Sequence, residues 1–300
     1  MAEHDKIILG DNQYGKAEVR LVKVTRDTAR HEIEDLNITS QLRGDFSDVH
    51  LYGDNTNCLT TDAQKNTVYA FARDGVKSPE AFLLRLGRHF SSNYPAVSGG
   101  HWAAEQYEWQ RIQVKGEGHD HAFVRNGQET RTANVTIDGD NTWVIAGLTD
   151  LVVLKSTGSE FHGFQQDAYT TLQPTNDRIL ATSVSAHWRY RDAEQDFNAT
   201  YVKVKQLLLE TFASLHSLAL QQTLYAMGKA VLEACPEITE IKFSMPNKHH
   251  FTVNLDAFGL DNPNEVFYAA DRPYGLIEAT VQRESTVLAP KAWVSVTGFC

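Results

Sequence analysis

The sequence predicts an α+β fold in which antiparallel strands come in pairs and helices are gathered between them. Three observations predict it. Alternating segments occur two at a time, two helical segments follow the first pair, and the order recurs after the turn cluster Asp138-Gly139-Asp140-Asn141. Paired strands with grouped helices differ from the strict strand–helix alternation of a doubly wound α/β fold.

The elements follow in order. Residues 18–26 form a first strand of mixed register. Leu36, Ile38, Ser40 and Leu42 then alternate with Asn37, Thr39 and Gln41, the period of a half-buried strand. A helix opens at Thr61-Asp62-Ala63-Gln64, which fits the Ser/Thr-x-x-Glu/Gln capping box, and ends at Asp74-Gly75. A second opens at Ser78-Pro79-Glu80, a capping hydroxyl with proline at the first helical position. Phe82, Leu83, Leu86 and Phe90 give it one apolar face. Strands over 102–114 and 122–137 close the first half.

In the second half, 143–154 reads as a strand. Thr182, Val184, Ala186, Trp188 and Tyr190 alternate in the next one. A helical region over 199–234 stops at Pro236, with His216-Ser217 as its dividing point. Ile241, Phe243 and Met245 alternate, then Phe251, Val253 and Leu255, then Ile277, Ala279 and Val281. Two domains are therefore expected, 1–140 and 141–300. They repeat an order of elements without visible residue identity. The length agrees: 300 residues at roughly 150 per domain gives two.

Composition narrows the function. The chain carries 28 basic and 38 acidic residues, a net charge of −10, and is 42 % hydrophobic. It can bury a core, and its charge argues against coating nucleic acid or an anionic membrane. A local basic pocket for a small anion is still allowed. Cys58, Cys235 and Cys300 are widely spaced and form no CxxC pair, so neither a thiolate metal site nor a disulfide scaffold is expected. The charged start, the lack of a long apolar run and the ending Gly298-Phe299-Cys300 point to the cytoplasm rather than to secretion, a membrane or the peroxisome.

General motifs are absent. Gly116-Glu117-Gly118 continues into His119-Asp120-His121, so there is no GxGxxG, and no P-loop, HExxH or GxSxG occurs. His119, His121, His249 and His250 read better as strand and surface histidines than as metal ligands.

Several segments carry more together than apart. They are Tyr14-Gly15-Lys16; Thr61-Asp62 with Gln64-Lys65-Asn66-Thr67; and Lys155-Ser156-Thr157-Gly158-Ser159-Glu160-Phe161-His162-Gly163-Phe164. Tyr169-Thr170-Thr171-Leu172, Asp177-Arg178-Ile179-Leu180, Leu220-Gln221-Gln222-Thr223-Leu224-Tyr225 and Pro246-Asn247-Lys248-His249-His250-Phe251 complete them. In this order and spacing the chain resembles the urate oxidase (uricase) family over essentially its whole length. The resemblance implies two tandem tunnelling-fold domains, a homotetramer around a central tunnel, and active sites between subunits. It implies no metal or organic cofactor. The implied reaction oxidises urate with O₂ and water to 5-hydroxyisourate and hydrogen peroxide.

Site residues carry over position by position. Arg178 matches the arginine that grips the urate ring, where a guanidinium makes two parallel charge-assisted bonds; its plain alternative is an ion pair with Asp177. Gln221 matches the glutamine on the opposite edge, and Leu220 offers its backbone N–H at a helix start. Otherwise Gln221 is a solvated helix residue. Phe161 matches the stacking ring, against the alternative of a core phenylalanine. Lys16 and Thr61 match the catalytic pair, supplied by a neighbouring subunit, in which the amine draws a proton through the hydroxyl. Thr61 could also simply cap its helix. Asp62 is expected to meet the substrate through its backbone amide, or else to be a favourable first-turn acid. Asn247 positions O₂ or water, and His249 completes the proton network. Thr60 adjoins Thr61, but Asp62 and Lys65-Asn66-Thr67 set the register on Thr61. Leu220 is bulkier than the valine of some relatives. Two other functions fit part of this pattern: a different tunnelling-fold enzyme acting on a purine or pterin, and a purine-binding module without catalysis. The Lys16–Thr61 pair is what mere binding does not need.

Overall fold

In the computed structural model the described residues are 7–296. The elements are β1 (Tyr14–Thr25), β2 (Glu32–Gly44), α1 (Ser47–Tyr52), α2 (Thr61–Arg73), α3 (Pro79–Asn93), β3 (Val97–Tyr107), β4 (Trp109–Val114) and β5 (Glu117–Arg125). They continue with β6 (Thr130–Asp138), β7 (Asn141–Lys155), β8 (Leu180–Tyr190), α4 (Phe197–Ser214), α5 (Leu220–Ala234), β9 (Ile238–Asn247), β10 (His250–Thr252), β11 (Phe267–Ala269), β12 (Gly275–Gln282) and α6 (Pro290–Trp293). The fold is α+β. One antiparallel sheet runs β1-β2-β3-β6-β7-β8-β9-β12. The tight turn at Gly139-Asp140 joins its two four-stranded halves, with Asp138 paired to Asn141.

The long helices lie on one face of the sheet. Leu36, Ile38 and Leu42 of β2, Phe82, Leu83, Leu86 and Phe90 of α3, and Leu224, Met227 and Val231 of α5 share one buried core. Ile145 sits between Val144 and Ala146 and so points to the other face. There it meets Ala289 and Ala292 at the start of α6 in a small second cluster. Arg131 of β6 bridges the helix layers of both halves. It donates to Glu80 of α3 at 2.8 Å and to Asn198 of α4 at 2.8 Å, and lies 4.4 Å from the Tyr201 ring centroid.

Several features of the first half have counterparts in the second. β1 shifts register after the pair Lys16–Ser40, and β7 shifts after the pair Leu148–Ala186. Each bulge holds an acidic residue at positive φ, Glu18 (55°) and Asp150 (59°). The next strand continues the match, because Ser40 pairs with Trp102 and Ala186 pairs with Phe243. Gly87 and Gly228 are each the ninth residue of their helix. A Cβ on Gly87 would meet Ile137 and Trp102, and one on Gly228 would meet Val281 and Phe243. Close helix–sheet approach, which a side chain would block, is thus built the same way twice.

Most local expectations hold, and the differences have simple causes. The capping box does not form. Thr60, not Thr61, is the N-cap of α2, accepting from the Ala63 amide at 3.0 Å, and Gln64 turns into the core instead. Residues 102–114 are not one strand. β3 leaves the sheet at Glu108, and β4 with β5 forms a separate hairpin around Lys115 and Gly116, both at positive φ. The alternation of Phe251, Val253 and Leu255 is strand only at its start, as β10 ends at Thr252 and a single 3-10 turn follows. The helical region over 199–234 does divide, between Ser214 and Leu220. The expectation for Gly298-Phe299-Cys300 lies outside the described residues, as do residues 1–6 of the charged start. No helix among the described residues is long and apolar enough to cross a membrane.

Candidate active site

The predicted site residues fall into two groups. The first stands where β1 meets the N-terminus of α2. Lys16 is half-buried beside the β1 bulge, and Thr61 and Asp62 are the first two residues of α2. Tyr14 ties the preceding loop down by donating to the Leu59 carbonyl at 2.8 Å, and its ring meets Phe46 edge-on at 4.7 Å. Gly15 is required here, since a Cβ would enter the Ser40 carbonyl. Asp62 is held below the usual carboxylate range by its bond from Lys65, with Asn66 and the more distant Lys16 cation adding to the effect. Thr61 and Asp62 lie in a first turn whose amides have no intrahelical acceptor.

The second group lines a cleft of about 420 Å³ near the ends of β8 and β9, which holds Phe161, Arg178, Asn247 and His249. Backbone bonds build it. Phe161 and Thr175 exchange N–H to carbonyl bonds at 2.8 and 2.9 Å, and the Arg178 amide donates to the Ser159 carbonyl at 2.8 Å. The Arg178 Nε donates to the Ser159 hydroxyl at 3.3 Å. Arg178 does not pair with Asp177, whose carboxylate accepts from Thr157 instead. Phe161 is not a core residue: it is half-buried, with the Arg178 guanidinium 5.2 Å from its centroid. Asn247 ends β9, paired with Thr182 on one side and Gly275 on the other. His249 follows, and burial first, then the Arg178 guanidinium and the neighbouring His250, push its imidazole down toward the neutral form. A neutral ring can accept a proton.

Leu220 and Gln221 are not among the residues lining this cleft. Leu220 is buried at the start of α5 and Gln221 is exposed beside it. They are tethered to it, because Glu160 donates its amide to the Ser217 carbonyl at 2.8 Å and Ser217 donates to the Gly158 carbonyl at 2.9 Å. The Glu160 carboxylate adds a side-chain clamp. It accepts from His216 at 2.9 Å and from His162 at 3.0 Å. The α5 N-terminus has no side-chain cap, whereas α2, α3 and α4 are capped by Thr60, Ser78 and Asp196. Its first amides and the positive end of its dipole are left for an anion.

One chain does not bring the two groups together. β1 and β8 are separated by five strand spacings in the sheet, roughly 24 Å along a flat path at ~4.8 Å each. Among the described residues no three His, Cys, Asp or Glu side chains are grouped to hold a metal ion.

The family model for uricase matches residues 12–136 and 144–278. The chain is 64 % identical over 295 residues to the uricase of Arthrobacter globiformis, covering 98 % of this chain and 96 % of that one. The chain belongs to the uricase family. The uricase of Dictyostelium discoideum is 35 % identical over 283 residues, covering 93 % and 98 %. The crystal structure of Arthrobacter globiformis uricase superposes with a TM-score of 0.92 at 64 % identity, over 95 % of this chain and 98 % of that one. Bacillus sp. TB-90 urate oxidase shares the fold, with a TM-score of 0.80 at 21 % identity over 91 % and 100 %.

The Glu160 clamp and the Ser159–Ser217 ladder were not singled out in the sequence. Nor was a buried chain from Ser40 to Gln64. One signal for the last was visible: Ser40 is a hydroxyl on the otherwise apolar face of β2.

Proposed function

We propose that this chain oxidises urate with O₂ and water to 5-hydroxyisourate and hydrogen peroxide at a site completed between two copies of itself. Family membership carries the reaction. The observation that carries the arrangement is the separation of two built half-sites in one chain. Arg178, Phe161 and the open start of α5 suit a flat anion, and Lys16 with Thr61 suits proton handling.

Each group has a chemical task. Arg178 makes paired charge-assisted bonds to a carbonyl and a ring nitrogen of urate. Gln221 and the Leu220 amide meet the opposite edge, and Phe161 stacks on the ring. From the neighbouring copy, the Asp62 amide contacts the exposed edge. Thr61 passes a proton from urate to Lys16, which enters this step as the neutral amine. The ionised substrate then gives two electrons to O₂, which Asn247 holds over the ring. Water adds its oxygen to the oxidised ring, and His249, Thr61 and Lys16 return protons to the reduced oxygen, which leaves as peroxide. No further redox group is needed, because the substrate supplies the electrons and preorganised charge supplies the rest.

The same reading takes 1–140 and 141–300 as tandem tunnelling-fold domains in a homotetramer. The matched bulges and helical glycines support the tandem repeat. The open edges at β1 and β12 support assembly, since unpaired strand edges call for partners. Free Cys58 and Cys235 suit a reducing cytoplasm.

The decisive experiment mixes two inactive variants. Lys16→Met and Arg178→Ala chains are each expected to lack urate-dependent oxygen uptake, and co-assembled chains to regain it. A co-assembled mixture as inactive as its parents would sink the shared site. Exhaustive chelation should leave turnover intact, and activity restored only by added metal would contradict the cofactor-free reaction.

A further inference from the structure

We propose that Ser40 and Gln64 are positioning residues for the Lys16–Thr61 pair, locking the strand that carries the lysine to the helix that carries the threonine. The proposal rests on the assignment of that pair above. Ser40 lies directly opposite Lys16 in the β1–β2 ladder. Its hydroxyl donates to the Gln64 side-chain carbonyl at 3.0 Å and accepts from the Trp102 indole N–H at 3.0 Å. All three side chains are fully buried. Gln64 is the fourth residue of α2, so its amide lies one turn from Thr61. One hydrogen-bond chain therefore spans β3, β2 and α2, joining the ladder partner of Lys16 to the first turn of the helix that Thr61 begins.

Stability alone does not explain these polar groups. Among the described residues the Gln64 amide nitrogen has no partner, and an unsatisfied buried donor is unfavourable. The second half of the molecule shows what the fold requires. Its equivalents of Lys16, Ser40 and Trp102 are Leu148, Ala186 and Phe243, at the same registers of the same bulged sheet. The Ala186 methyl can make no hydrogen bond to α4, whose Thr200 donates to Glu237 at 3.0 Å. The architecture thus forms with an apolar interior at this place. The polar chain occurs in the half that holds Lys16 and Thr61.

The physical reason is directionality. Apolar contacts hold a helix on a sheet but tolerate sliding and rotation, whereas a hydrogen bond fixes distance and angle. Proton transfer between two side chains needs that precision.

The test uses full-length Gln64→Met and Ser40→Ala chains, with circular dichroism confirming the folded state. Loss of positioning should lower kcat about 10- to 100-fold, as expected for a displacement near 1 Å, with KM within about threefold. The double variant should fall no further than the worse single one, because both changes break the same chain. If Gln64→Met does not fold, Ser40→Ala decides alone. Unchanged kcat in the folded variants, a rise in KM with kcat intact, or losses that multiply in the double variant would each overturn the proposal. Lys16→Met separates the two levels. If it abolishes turnover while Ser40→Ala and Gln64→Met do not impair it, positioning alone fails. If Lys16→Met turns over normally, the pair and its positioning residues fall together.

Discussion

The guanidinium of Arg178 stands over the ring of Phe161, with 5.2 Å between Cζ and the ring centroid. The two residues are brought together by one short backbone ladder, in which Ser159 accepts from the Arg178 amide and Phe161 pairs with Thr175. A planar cation beside a planar ring offers one wall to stack a flat anion and one group to grip its edge. Arg178→Ala should lower kcat/KM by roughly 10²- to 10⁴-fold, since each of two charge-assisted hydrogen bonds contributes roughly 1.5–3 kcal/mol. Arg178→Lys should recover little, because an ammonium cannot reproduce two parallel bonds. Steady-state kinetics with urate check both.

Glu160 is held below the usual carboxylate range, first by its bond from His216 and then by that from His162. A depressed carboxylate contributes stability above its unfolded value, here 4.5, and loses it as pH falls through the lower folded value. Glu160→Gln should therefore lower Tm relative to the parent at pH 6, and the gap should narrow in strong acid. The variant should also raise KM, because the clamp joins the Phe161 segment to the start of α5. A Tm gap that stays constant with pH would refute the ionic clamp.

Burial, aided by the Arg43 cation, pushes the His101 imidazole down to about 4 from 6.5. Burial alone holds His187 at about 4 as well. Between these values the unfolded chain takes up a proton that the folded chain refuses. Stability must then fall as pH drops from 6.5 toward about 4, on the order of 3 kcal/mol per histidine. His101→Gln should flatten part of this slope, as read by urea midpoints from pH 7 to pH 4.5. An equally steep slope in the variant would count against the assignment.

Gly228 lets α5 lie against Val281 and Phe243, where a Cβ would come within 2.7 Å of a Val281 methyl. Gly228→Ala should destabilise by about 1–2 kcal/mol, overpacking of 1–3 kcal/mol being partly offset by the better helix former. Adding Val281→Ala should recover part of the loss. A stabilised Gly228→Ala chain would show that the contact relaxes freely.

Much of the fold was legible because burial writes its period into sequence. Leu36, Ile38, Ser40 and Leu42 mark the inner face of β2, and Ser78-Pro79 marks the start of α3. The β4–β5 hairpin was missed because departure from a sheet depends on what neighbours are available, not on local alternation. Thr60 displaced Thr61 as the cap because two adjacent threonines have nearly equal capping ability, and the Gln64 side chain was drawn into the core.

The sequence by itself determined the α+β class and the recurring order of strands and helices, because short-range periodicity and local motifs need no partner to be read, and it singled out Lys16, Thr61, Arg178 and Phe161 as candidates through its family resemblance. Only the tertiary structure decided which of these residues meet. It put Arg178 against Phe161 and Ser40 opposite Lys16, and it held β1, which carries Lys16, five strand spacings from β8, which Arg178 precedes. The physical reason is that contacts across a sheet are set by ladder register and bulge position, which join residues far apart in the chain. The bulge after Lys16 has a counterpart after Leu148, and the polar or apolar residues beside the two bulges distinguish them.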